Sequence, residues 1–226
     1  MKMKNLLILV VSMAITLRGV WGATSLALDM SEGYVDYSLE CLKTEYRSLI
    51  FAGCDTQGRQ NNYVYANIKA TERFDKNIRV GVFIDPCFKC DPVQQIKEMC
   101  IRLHFLDQHN VFISVLKEYF GTDKAKNQEF IQKMIAAIQE FNANDECFKD
   151  ILIYTDQWNW QETVGVWEKY GGSTKLWWRS LDGKQTLDSF RPFGGWTKDS
   201  VAYKHFENPD EICNIPSPGQ SVYFGS

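Results

Sequence analysis

The sequence predicts an α/β fold: one irregular, TIM-like (βα)5β3 barrel. Three observations predict it. Short apolar runs alternate five times with longer amphipathic stretches. The alternation then stops, and three strand-like runs follow with no helix between them. No internal repeat, low-complexity tract or Pro/Gly-rich linker divides the 226 residues, so a single domain is expected.

The elements follow in order. "TSLALDMS" (24–31) opens as a buried strand, and apolar residues spaced by three and four over 34–46 predict the first helix. "RSLIFAGCD" (47–55), "IRVGVFIDP" (78–86), "NVFISVLKE" (110–118) and "DILIYTDQ" (150–157) repeat the strand pattern. Between and after them, 62–77, 92–109, 123–143 and 159–170 carry the helical spacing, for example Phe130, Met134, Ile138 and Phe141. "KLWWRSL" (175–181), "DSVAYKHF" (199–206) and "QSVYF" (220–224) supply the last three strands. In such a barrel, function sits at the C-terminal ends of the strands.

The ends of the chain predict its compartment. Lys2 and Lys4 precede an apolar run from Leu6 to Leu17, and Val20 and Gly22 lie where a signal peptidase reads small residues. Residues 1–22 are therefore expected to be a signal peptide, leaving 23–226 as the barrel domain. The apolar run is too short for the roughly 20 residues of a membrane span. A soluble, secreted protein is expected, outside the cell or in a vesicle lumen. Loss of the three leader cations lowers the net charge from −3 to −6. The mature chain has no basic stripe for nucleic acid and no charge to draw it to an anionic membrane, so neither is an expected partner. No N-x-S/T acceptor occurs. The seven cysteines should mostly pair in an oxidising compartment, and an odd number leaves at least one without an intramolecular partner.

Several motifs together carry a resemblance. "ALDMS" lies on the first strand, "CLK" in the first helix and "PCFKC" after the third strand; "IYT", "LWW" and "FRPFGGW" follow in order. With these the chain resembles the nematode and amoeba branch of glycoside hydrolase family 25, the muramidase-type lysozymes. The resemblance implies a (βα)5β3 barrel, no cofactor or metal, a monomer, and a bacterial cell-wall glycan or other amino-sugar polysaccharide as partner. It also implies an aspartate at the end of strand one, an aspartate and a glutamate in a D-x-E pattern at the end of strand four, and a further aspartate near the last strand. In that chemistry a protonated acid serves the leaving oxygen, and a second charge supports the substrate's acetamido oxygen as nucleophile.

The first aspartate matches Asp29, which could equally be a turn or helix cap. Strand four departs from the pattern. One register places Ser114 and Leu116 on the two acid positions, and another places Leu116 and Glu118 there. Strand alternation puts 114, 116 and 118 on one face in either case. Asp29 and Glu118 are thus the candidate catalytic pair, with Glu118 also readable as a solvated surface residue. Ser221 stands where the last acid is expected. Losing a carboxylate removes several kcal/mol of transition-state stabilisation. An incomplete, impaired lysozyme-like site is the expectation, beside an active muramidase or a glycan-binding protein that has lost the reaction.

Tyr154, Trp177, Trp178, Phe193 and Trp196 are the candidate substrate-binding residues, since flat rings stack on sugar faces; packing is the competing role. Only one of Trp177 and Trp178 can face the barrel interior. Cys87-Phe-Lys-Cys90 also fits a thioredoxin-like redox pair, against which stands the five-fold βα order. In the family-like barrel these two half-cystines are expected to bridge to other loops, and Cys54, closing strand two, is expected to be the unpaired thiol.

Overall fold

A computed structural model describes residues 25–30, 36–104, 106, 109–144 and 147–224; the leader expected over 1–22 lies outside them. Seven strands run parallel: β1 (Ser25–Met30), β2 (Tyr46–Cys54), β3 (Arg79–Ile84), β4 (His109–Ser114), β5 (Phe148–Thr155), β6 (Lys175–Arg179) and β7 (Val201–Glu207). After a small hairpin, β8 (Glu211–Ile212) and β9 (Ile215–Pro216), the last strand, β10 (Gly219–Tyr223), enters antiparallel between β7 and β1 and closes the barrel. Helices α1 (Asp36–Leu42), α2 (Val64–Phe74), α3 (Pro92–Leu103), α4 (Lys124–Ala143) and α5 (Gln157–Val164) follow the first five strands. This is the predicted (βα)5β3 order.

Side-chain alternation divides the core in two. Inward residues Ala27, Ile50, Phe112, Leu152, Trp177 and Tyr203 fill the barrel. Phe112 meets Trp177 and Tyr203 edge to face, with ring centroids 5.0 and 5.4 Å apart, contacts that each add about 0.5–1.5 kcal/mol beyond area burial. Outward neighbours such as Leu28, Leu49 and Ile113 pack under the helices, against Ile68, Met99 and Met134. Asp91, Asp123 and Asp156 accept backbone N–H bonds at the starts of α3, α4 and α5, each cap contributing about 1 kcal/mol.

Several element boundaries move: the helix expected over 92–109 ends at Leu103, and the first helix, expected over 34–46, ends at Leu42. Strand four stops at Ser114, and Lys117–Tyr119 forms a 3-10 turn, because the buried Asn159 carboxamide on α5 accepts the Lys117 N–H at 2.8 Å and bends the chain away. The fifth helix ends at Val164, where Gly165 takes a positive φ of 75°.

The cysteines pair as Cys41–Cys213, Cys87–Cys90 and Cys100–Cys147, leaving Cys54 free and buried, as predicted. The expectation that Cys87 and Cys90 each bridge to another loop is corrected. Both lie in the short turn ahead of α3, 5.3 Å apart between Cα atoms, well within reach of each other.

Candidate active site

The inward-facing residues at the C-terminal ends of the parallel strands form a polar ring. Alternation on β1 turns Asp29 inward from Ala27, against Gly219 of β10. A Cβ placed on Gly219 would lie 2.2 Å from Asp29 Oδ2, so the absence of a side chain there makes room for the carboxyl. Asp29 is partly open at the mouth, yet its Oδ1 is sealed from water without a hydrogen-bond partner. Burial raises its pKa, with a partial offset from His205. Asp29 caps no helix; it is a barrel-mouth residue.

Opposite β1, Tyr154 donates its hydroxyl hydrogen to His205 Nδ1 at 2.6 Å. His205 Nε2 faces two acceptors, Glu207 O at 3.0 Å and Asn208 Oδ1 at 2.7 Å, so Nε2 carries a hydrogen and Nδ1 accepts from Tyr154 in the neutral ring. Arg179 lies opposite His205 in the β6–β7 register and pairs with Asp156 at 3.3 Å. Tyr154 is held protonated well above its usual range, first by burial and then by the Asp29 charge.

The remaining arc comes from β3 and β4. Ile84 pairs with Ile113, so the next residues, Asp85 and Ser114, are cross-strand neighbours. The Asp85 N–H bonds to Cys54 O at 3.1 Å, and the Ser114 hydroxyl hydrogen-bonds the Asp85 carboxyl. Burial pushes Asp85 up to about 6, with further upward pressure from Asp29, Asp55 and Glu118 against the Ser114 bond. Asp85 opens onto a cleft of about 450 Å³ that it shares with Ala52, Asp55, Arg59, Gln60 and Tyr63. Both amide atoms of Gln60 are buried there without partners.

The other sequence candidates scatter. Leu116 is buried, 8% exposed. Glu118 is exposed on the 3-10 turn and faces a second cleft, of about 790 Å³, beside Cys87, Phe88, Cys90 and Tyr119. The shared face expected for 114, 116 and 118 ends where the strand ends. Ser221 lies deep in the barrel, accepting from Trp177 Nε1 at 2.9 Å. Trp177 faces inward and packs against Tyr154 with the rings tilted at 45°, centroids 4.4 Å apart. Trp178 faces outward against Phe190, with Lys204 Nζ 4.9 Å from its ring. Phe193 and Trp196 pack on each other at 5.6 Å, and Trp196 is fully enclosed. Of the five aromatic candidates, Tyr154 stands in the ring and the other four are buried. The exposed ring in the Asp85 cleft is Tyr63.

Sequence reasoning missed Asp85, Asp156, Arg179 and His205. A signal for Asp85 exists: "VGVFID" ends β3 as "SLALD" nearly ends β1, an apolar alternation closing on an inward aspartate. Among the described residues, no group of three or more His, Cys, Asp or Glu side chains is placed to hold a metal, and no helix is long and apolar enough to cross a membrane.

Known proteins share this arrangement of strands. The family model described as Lysozyme-like protein 1 matches residues 22–206. Lysozyme-like protein 5 of Caenorhabditis elegans is 28% identical over 152 residues, covering 65% of this chain and 65% of its own length. Probable GH family 25 lysozyme 5 of Dictyostelium discoideum is 25% identical over 182 residues, 76% of this chain and 80% of that one. The crystal structure of a bacterial lysozyme from Streptomyces coelicolor superposes with a TM-score of 0.71 at 12% identity, over 90% of this chain and 94% of that chain. A family GH25 lysozyme from Aspergillus fumigatus superposes with a TM-score of 0.66 at 12% identity, over 90% and 95%. At such identities the superpositions speak for the fold, and the family match extends through seven of the eight barrel strands: the chain belongs to the lysozyme-like proteins of glycoside hydrolase family 25.

Proposed function

We propose that the mature chain, residues 23–226, is secreted and acts as a monomer on the amino-sugar polysaccharide of bacterial cell walls, in defence or digestion. It hydrolyses β-1,4 glycosidic bonds more slowly than relatives that carry the full acid set. The supporting observation is the barrel mouth. Asp29 sits in a ring with Tyr154, Arg179 and His205, while Ser114 and Leu116 occupy the D-x-E positions in the register that ends the strand at Ser114. A general acid contributes about 10²–10⁴-fold to such a reaction, so the size of the shortfall from losing both motif acids depends on whether another mouth carboxyl takes over the proton.

The test is clearing of a peptidoglycan suspension by the purified mature protein, beside a family 25 lysozyme with its D-x-E pair intact. Slow clearing that Asp29→Asn abolishes supports the reading. Clearing at the rate of the intact enzyme contradicts the impairment. Binding of peptidoglycan fragments, followed by tryptophan fluorescence, with no product release after prolonged incubation would leave a glycan-binding protein instead. Tyr63→Ala should weaken that binding, because its ring is the exposed stacking surface of the cleft.

A further inference from the structure

We propose that Asp85 is the general acid of this barrel, the proton-donating carboxyl standing at the end of strand three instead of strand four; the inference rests on the glycan-cleaving reading above. Elimination leads to it first. Six described carboxylates stand at or beside the mouth, of which Glu207 is exposed at the very end of β7. Asp55 is held by Arg59, with Nε–Oδ2 at 2.7 Å and Nη2–Oδ2 at 2.6 Å. Asp156 caps α5 and pairs with Arg179. Glu118 rides exposed on the turn and faces the second cleft. Asp29 is pressed against Gly219 with one oxygen sealed. Asp85 is half-buried, faces inward, opens onto a cleft and has no ion pair among the described residues.

Register places it well for the task. Adjacent strands lie about 4.8 Å apart, and Asp85 is the immediate cross-strand neighbour of Ser114, where the first motif acid would stand. The Ser114 hydroxyl is close enough to the carboxyl to favour its charged form. The titratable groups around it are Asp29 from β1, Cys54 from the end of β2, Asp55 just after it, and Glu118 and Tyr119 from the turn. These are neutral or acidic and favour the protonated Asp85, while Arg59, the cation lining the same cleft, is paired with Asp55. Burial and these neighbours bring its titration up to about 6, near the working range of a general acid.

The step balances without a further reactant. The Asp85 proton passes to the glycosidic oxygen as the carbon–oxygen bond breaks, and the bonding electron pair leaves on that oxygen. The electron-poor sugar carbon then gains the oxygen of a water molecule, whose proton returns to the Asp85 carboxylate. Asp29 presents its charge to that carbon in the interval.

The experiment follows reducing ends released from soluble peptidoglycan fragments by the mature protein between pH 4 and 8. For the wild type, kcat/KM falls above about pH 6. Asp85→Asn lowers kcat by about 10²–10⁴-fold with KM changed less than about threefold. Ser114→Ala moves the falling limb to higher pH, because a hydrogen bond favouring the charged carboxylate is gone. If Asp85→Asn does not fold, the limb decides alone, and a limb unmoved by Ser114→Ala overturns the proposal. An active wild type with Asp85→Asn folded and equally active, or with Glu118→Gln the more damaging change, overturns the acid assignment and leaves the glycan-cleaving reading standing. A wild type that binds fragments and releases nothing overturns both.

Discussion

Gly219→Ala is the smallest change that tests the built character of the mouth. The added Cβ would lie 2.2 Å from Asp29 Oδ2, 2.3 Å from Oδ1 and 2.5 Å from Cγ. Ordinary contact requires about 3.4 Å or more, so the whole carboxyl must retreat by about 1 Å, and a misplacement of that size can cost about 10²-fold in turnover. Overpacking of a filled site costs about 1–3 kcal/mol. At about 2–4 °C per kcal/mol for a chain of this size, Tm should fall by about 2–12 °C. Asp29→Ala in the same chain removes the clashing atoms, and the double variant should recover most of the lost Tm, an interaction that a mutant cycle isolates. Thermal melting by circular dichroism, with turnover on soluble fragments, makes the measurement. A Gly219→Ala protein with wild-type Tm and turnover, or a double variant that is merely the sum of the singles, would refute the claim that Gly219 exists to admit Asp29.

The disulfides should rank by the loops they close. Chain entropy assigns about 5 kcal/mol to Cys41–Cys213, about 4 to Cys100–Cys147 and about 2 to Cys87–Cys90, from sequence separations of 172, 47 and 3. Denaturant melts of the three paired Cys→Ala variants check the order, and Cys87–Cys90 proving the costliest to lose would overturn it. Lys204 is fully buried with Nζ bonded to both Asp182 oxygens, at 2.7 and 2.9 Å. Asp182→Ala strands that charge and should cost about 3–5 kcal/mol, and adding Lys204→Met should recover part of it. Lys204 and neighbouring donors outweigh burial and hold Asp182 below the usual carboxylate range. The pair's contribution is therefore present above the unfolded carboxylate pKa and lost as pH falls through the lower folded value, so the gap between wild type and Asp182→Ala should close in acid. Burial, Asp85, Asp55 and Glu98 push the Cys54 thiol up to about 12, so iodoacetamide at pH 8 should label it only after unfolding; labelling of the native protein would contradict that.

The barrel was legible because its strands and helices carry opposite periodicities for long stretches, and five helices of the expected order appear behind five strands. Boundaries were less legible where a distant residue decides them. "NVFISVLKE" reads as one strand, but the carboxamide of Asn159, from another unit, captures the Lys117 N–H and ends the strand at Ser114. That contact is what separates Ser114 from Glu118, and no local propensity contains it. The aromatic residues of strands five to seven read as a cleft lining. Instead, Phe193 meets Trp196 and Trp196 meets Trp160 of α5 edge to face, with Trp167 stacked on Trp160, where the last three barrel strands have no long helix of their own to cover them.

The same logic explains why a motif search finds Asp29 and passes over Asp85. A motif search compares positions along the chain and points to strand four, whereas a barrel mouth is assembled across strands by register. Once Ile84 lies opposite Ile113, a carboxyl lost from the end of β4 can be supplied from the end of β3 with the backbone unchanged, and a serine at the old position still tunes it. The two mouth carboxyls then differ by what surrounds them. At Asp29 the effect of burial is partly offset by His205, while at Asp85 the Ser114 hydroxyl is the offset and further acids add to the rise. Burial raises both, so the proposed division of roles rests on geometry: Asp85 opens onto the cleft, while Asp29 is held against Gly219 with one oxygen sealed. The division depends on inward neighbours, so it survives the loss of the D-x-E pattern.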